Sequence, residues 1–257
     1  MIPLPVTFAI LFYGLCVGSF LNVCIYRVPL SRSIVRPGSS CPSCQTPIRW
    51  YDNIPVLSYL ILRGRCRSCG CRVSFRYPAI EALTGGFAVI ALYAFGLSAS
   101  ALVHFIFFSA LITITFIDID HRIIPDVISL PGIPLFFLLS LAVPTVTWQE
   151  SALGILAGGG SLWLVAWLYE CLTGKMGMGG GDIKLLGMMG AFIGWKGVLF
   201  TIFFSSLTGS VIGLSIMLSQ KGNMKLAIPY GPFLAAGGAV YTLFGAQLIG
   251  WYLGFVR

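Results

Sequence analysis

Charge is scarce in this sequence. Only 9% of its 257 residues are Asp, Glu, Lys or Arg, against 57% hydrophobic, and there are just eight acids. A soluble domain carries about 25% charged residues, so the deficit excludes a soluble globular chain; the mean hydropathy of +0.92 agrees. No basic stretch precedes the first apolar run, and Arg27 follows it, so residues 2–26 read as a retained span and not a signal peptide. The glycine run Gly177-Met-Gly-Gly-Gly-Asp182 is not followed by Gly-Lys-Ser/Thr, which argues against a phosphate-binding loop. Neither an internal repeat nor a low-complexity tract is present.

What remains is a series of apolar segments at 2–26, 79–97, 99–117, 127–143, 151–173, 183–195, 198–219 and 231–255. Several approach the roughly 20 residues that span a bilayer. The expected fold is an all-α polytopic membrane protein of about eight transmembrane helices. Its parts are a first span (1–26), an inserted cytoplasmic domain (27–78) and a seven-helix membrane core (79–257). Basic residues support this drawing. With the N-terminus outside, the inner segments 27–78, 118–126, 174–184 and 220–230 hold 14 of the 16 Lys and Arg residues, nine of them arginines between Arg27 and Arg76. This is the positive-inside pattern. The net charge of +8 is therefore a topology signal, and no nucleic-acid partner is expected. Pro78 is expected to end the inserted domain just before the second span, and Asp126 to cap the start of the fourth. Pro229-Tyr230-Gly231-Pro232 breaks the chain before the last.

Half of the acids matter to chemistry. Asp118, Asp120 and Asp126 cluster in Ile117-Asp-Ile-Asp-His121-Arg-Ile-Ile-Pro-Asp126, and Asp182 ends the glycine run. Both segments fall on the cytoplasmic side of the drawing, joined by a two-span hairpin that lets them face each other. The run from Ile183 to Trp195 has 13 residues, about 20 Å of helix, less than the roughly 30 Å hydrocarbon core. Asp182 is thus expected at membrane depth, facing a wet cavity. Glycines ahead of it allow a tight turn and close approach of a substrate strand. Two carboxylates across a cleft suit peptide hydrolysis: one keeps a proton and polarises the carbonyl while the other activates water. From the residues alone, the partner of Asp182 stays open between Asp118 and Asp120, and Asp126 reads as a helix cap. Lys184 either tunes Asp182 or extends to the headgroups. His121 reads as a solvated or supporting residue, and His104 as one satisfied by a neighbouring helix.

Four of eight cysteines form Cys41-Pro-Ser-Cys44 and Cys66-Arg-Ser-Cys69, 21 residues apart. Two such pairs supply four thiolates for a closed, tetrahedral, structural zinc. A domain of roughly 50 residues with few aliphatics needs a staple of this kind, and disulfides rarely persist in a cytosol. A redox role for either pair is the alternative, and Cys71 is a further thiol able to replace Cys69. Cys16, Cys24 and Cys171 read as small apolar residues of the spans.

Together these features resemble the bacterial type IV prepilin peptidase/N-methyltransferase family. The resemblance runs from Gly18-Ser-Phe-Leu-Asn-Val-Cys-Ile-Tyr-Arg27-Val-Pro29 through the two cysteine pairs, Asn53-Ile-Pro55, Ser58-Tyr-Leu60 and Tyr77-Pro-Ala-Ile-Glu81. It continues through Ile117-Asp-Ile-Asp-His121, Ile124-Pro-Asp126 and Gly177-Met-Gly-Gly-Gly-Asp182-Ile-Lys184-Leu185 to Pro229-Tyr-Gly-Pro-Phe233. It implies Asp118 and Asp182 as the catalytic pair. It also implies prepilin and pseudopilin substrates with short basic leaders, cut after a glycine at the inner membrane, with the active site toward the cytoplasm. Members with the four-cysteine domain are similar in methylating the new N-terminus from S-adenosylmethionine. No methyltransferase glycine fingerprint is present; Asn53 and Glu81 are contributors to consider. The glycine–aspartate motif alone also looks like the presenilin-type intramembrane proteases. A zinc-stapled transporter using the acids as a proton relay is a third class.

Overall fold

The computed structural model describes residues 2–143, 146–174, 179–219 and 228–255. Lys175, Gly177, Lys221 and Lys225, which entered the topology and motif readings, lie outside them. The apolar segments are largely helical among the described residues, with isolated β-bridges and no strand among them. Five helices are long and apolar enough to cross a membrane, and the apolar helix at 126–140 is shorter. The chain divides into two compact units, Met1–Thr113 and Ile114–Arg257.

In the first unit, α1 (Leu4–Arg27) packs on α3 (Arg76–Phe95), and α2 (Leu57–Ile61) lies in the segment between them. Glycines set the α1–α3 distance. A Cβ at Gly18 would lie 2.7 Å from the Glu81 Cα, so the backbones meet where a side chain would hold them apart, as in small-residue membrane interfaces. Helix α3 begins at Arg76, which puts Pro78 inside the first turn instead of ahead of it. A proline is tolerated there because its missing N–H would have had no intrahelical partner.

The second unit contains the end of α4 (Ala99–His121), then α5 (Asp126–Ser140), α6 (Trp148–Thr173), α7 (Gly180–Ser219) and α8 (Gly231–Phe255). Helix α7 packs on α5, α6 and α8. Its residues Leu185 to Gly194 are all buried. At Gly194 (φ 68°, ψ 176°) the helix is interrupted, a conformation open to glycine because it lacks a Cβ. The two apolar segments read at 183–195 and 198–219 are thus successive stretches of α7. The first, 180–193, spans 14 residues, about 21 Å. Beyond the break, Lys196 pairs with Glu150 at 3.0 Å, next to the Thr147/Glu150 capping box that starts α6.

Candidate functional site

Helix α4 ends in the acidic motif. Arg122 turns the chain with φ 55° and donates its N–H to the Asp118 carbonyl at 2.8 Å. Asp118 lies on the buried side of the last turn, 5% exposed, whereas Asp120 and His121 are exposed. Three residues on, the Ile124 side chain is buried against two glycines. A Cβ on Gly181 would lie 2.9 Å from the Ile124 Cβ, and one on Gly231 would lie 3.4 Å from its Cδ1. Ile124 therefore brings the start of α7 and the start of α8 to the end of α4. Asp182 sits in the first turn of α7, half-buried, within electrostatic reach of the Asp118 carboxylate.

Asp118 is held by α8. The Gly231 N–H donates to Asp118 Oδ2 at 2.9 Å. A Cβ on Gly231 would stand only 2.6 Å from that oxygen, so residue 231 must lack a side chain. The break Pro229-Tyr230-Gly231-Pro232, read in the sequence as an interruption before the last span, is an anchor for a carboxylate. Tyr230 fixes it further, with its hydroxyl 2.7 Å from Ser205 Oγ on α7. No spacing rule points to a glycine 113 positions away; the only signal was the break motif itself.

Asp126 and Lys184 differ from their sequence reading. Asp126 is the first helical residue of α5, Pro125 occupies the cap position, and no side-chain cap is made. The carboxylate instead takes both of its contacts from Lys184 Nζ, at 2.7 and 2.8 Å. Lys184 thus ties the beginning of α7 to that of α5.

In the first unit, two similar turns present the thiols. The Cys41 N–H donates to the Thr46 carbonyl and the Cys66 N–H to the Cys71 carbonyl; Gln45 (φ 56°) and Gly70 (φ 69°) donate back to the first cysteine of each turn. Bridges Ser40–Pro47 and Arg65–Arg72 close the two turns. By this correspondence Cys71 stands where the first turn has Thr46. The sulfurs of Cys41, Cys66, Cys69 and Cys71 lie within 4.8 Å of one another, with Cys41 3.8 Å from Cys69 and 3.5 Å from Cys71. Zn–S bonds of about 2.3 Å in a tetrahedron require sulfurs about 3.8 Å apart, so the donor set fits a zinc tetrathiolate. It differs from the expected Cys41, Cys44, Cys66, Cys69 at one position, because Cys71 takes the place of Cys44 in the tight group. Cys44 Sγ lies 3.3 Å from Thr46 Oγ1, and the Thr46 hydroxyl and backbone hold its thiol down at about 6. Cys71 is also lowered, mainly by a hydrogen bond with Ser43. Both competitors for the fourth position are thus shifted toward the thiolate form that binds metal. Arg67 steadies the segment by a pair with Asp52 at 2.6 Å.

Glu81 is buried on α3 and accepts a hydrogen bond from the Val56 N–H at 2.7 Å. Asn53 is exposed, its N–H donating to the Trp50 carbonyl.

Fold and site define a multi-pass helical membrane protein with a paired-carboxylate site in one unit and a thiol cluster in the other. The Type IV leader peptidase family model matches residues 105–214, and the Bacterial Peptidase A24 N-terminal domain model matches 12–95. A Prepilin leader peptidase/N-methyltransferase of Neisseria gonorrhoeae is 42% identical, with 81% of each chain covered. Proteins of the same name from Stutzerimonas stutzeri (36% identical, 99% of this chain and 96% of the relative) and Pseudomonas aeruginosa (34%, 98% and 95%) match nearly end to end. No solved structure matches significantly. The chain belongs to the type IV leader peptidase family and is an enzyme.

Proposed function

We propose that this enzyme removes the short basic leader of type IV prepilins and pseudopilins, cutting after a glycine at the cytoplasmic face of the bacterial inner membrane. Asp118 and Asp182 share the chemistry. Two carboxylates within electrostatic reach do not both ionise readily, so one keeps a proton for the scissile carbonyl while the other takes a proton from the attacking water. Membership in the family supports the substrate class. The observation that carries the mechanism is the convergence of Asp118, fixed by the Gly231 N–H, with Asp182 at the start of α7.

The enzyme also methylates the new N-terminus, with S-adenosylmethionine as donor. The described residues include no strand on which to build a glycine-rich strand–helix cradle for that donor. Zinc is the metal the thiol group suits, held by Cys41, Cys66 and Cys69 with Cys71 or Cys44 as fourth ligand. Its role is to staple the segment between α1 and α3.

The test is cleavage and N-terminal methylation of a model prepilin by the wild type, Asp118→Asn, Asp182→Asn and Cys66→Ser. Each Asp change abolishes cleavage, while the Cys change acts on the stability of the domain. Cleavage of unrelated transmembrane helices but not of prepilin would mark a general intramembrane protease. Undiminished function in both Asn variants would mark a non-enzymatic role for the acids.

A further inference from the structure

The shortest helix carries an apolar face that nothing in its own unit covers. Leu57, Leu60 and Ile61 follow the i, i+3, i+4 spacing that places side chains on one side of a helix, and they are 55%, 64% and 71% exposed. Ser58, on the other side, is buried, its hydroxyl donating to the Tyr51 carbonyl. Trp50, just before this helix, is 81% exposed.

Hydrogen bonds fix the level at which α2 lies. The Asn22 amide donates to the Tyr77 carbonyl at 3.1 Å, so the start of α3 stands beside the last two turns of α1. Glu81 lies five residues into α3, about 7.5 Å along its axis, and its carboxylate accepts the Val56 N–H at 2.7 Å. Val56 immediately precedes α2. The first turn of α2 is therefore held beside the last turns of α1 and the first turns of α3.

We infer that α2 is an interfacial helix, with Leu57, Leu60 and Ile61 set into the acyl region of the adjoining leaflet and the flanking arginines on anionic phospholipid headgroups. Interfacial helices bury an apolar face about 5–10 Å into the headgroup boundary and draw further affinity from basic residues. Charge selects this occupant. Residues 28–75 hold seven arginines and one acid, Asp52, and that acid is paired with Arg67. Arg49 precedes Trp50, and Arg63 and Arg65 follow Ile61. A basic leader peptide is repelled by such a surface, whereas an anionic leaflet is attracted.

The test places p-benzoylphenylalanine at Leu60, Ile61 or, as control, Ser68 of the full-length protein. The protein is reconstituted in nanodiscs of phosphatidylethanolamine and phosphatidylglycerol with a model prepilin present. Irradiation is expected to give adducts of phospholipid mass at 60 and 61 and none at 68. Adducts to the prepilin or to a second copy of the chain in place of lipid, or no adduct at either position, would overturn the inference. Replacing phosphatidylglycerol by phosphatidylcholine is expected to raise amide exchange across 57–63 several-fold. Unchanged exchange would remove the headgroup contact from the proposal.

Discussion

A Cβ at position 231 would lie 2.6 Å from Asp118 Oδ2 and 3.2 Å from its carboxyl carbon, so alanine there must displace either the carboxylate or the start of α8. Misplacing a catalytic group by about 1 Å can cost roughly 100-fold in rate. Gly231→Ala is expected to lower kcat on a model prepilin by roughly that factor, with a smaller change in KM, because the substrate-binding surface is retained. An equal loss of both in a protein that still folds would speak against Gly231 as the anchor of Asp118. The thiols support a second prediction at the same scale. Five sulfurs compete for four tetrahedral positions, and Cys44 and Cys71 are the interchangeable pair. Each of Cys44→Ser and Cys71→Ser should retain one zinc per chain by metal analysis. The double variant and Cys66→Ser should lose it. Loss of zinc in Cys71→Ser alone would leave no capacity for Cys44 to serve as fourth ligand.

At the scale of helices, packing distance is set by glycine. On α6, a Cβ at Gly154 would run into the Gly190 carbonyl of α7, while one at Gly160 on the same helix meets nothing within 4 Å. Overpacking costs about 1–3 kcal/mol, and replacing an unencumbered helical glycine by alanine gains about 0.5–1 kcal/mol. Gly154→Ala is expected to lower the thermal unfolding midpoint in detergent and Gly160→Ala to leave it level or raise it. Equal effects would mean that α6 and α7 are not in backbone contact. Helix positions were legible in the sequence because membrane burial writes itself as apolar runs: each of the eight runs is largely helical in its described part. Boundaries were less legible. Pro78 reads as a stop but is accepted in a first turn, and Asp126 reads as a cap although Lys184, 58 positions away, claims its oxygens. Such outcomes depend on which distant group arrives, and a local pattern holds no record of that. The difference between Asp118 and Asp120 is of the same kind: Asp118 is buried and bonded by Gly231 while Asp120 is exposed, two residues apart on one helix.

Across the whole molecule, chemistry divides along the two units. Asp118, Asp182, Ile124 and Gly231 all belong to 114–257, and the five clustered thiols all belong to 1–113. Among the described residues, the end of α4 and the starts of α7 and α8 supply the contacts that fix Asp118 and Ile124. The metal group, by contrast, holds a segment whose regular structure is one short helix, a 3₁₀ turn and two bridged loops. Such a segment has little core of its own and depends on its metal for folding. Cys66→Ser enzyme, purified in membrane mimetic, is therefore expected to lose amide protection over 28–75 while keeping it over α5, α7 and α8. Its prepilin cleavage should stay within a few-fold of wild type in the same preparation. Hydrogen exchange and leader cleavage, measured side by side, decide the point. Cleavage lost with α5, α7 and α8 still protected would show that the cysteine segment takes part in peptide hydrolysis, and the division of labour between the units would fall.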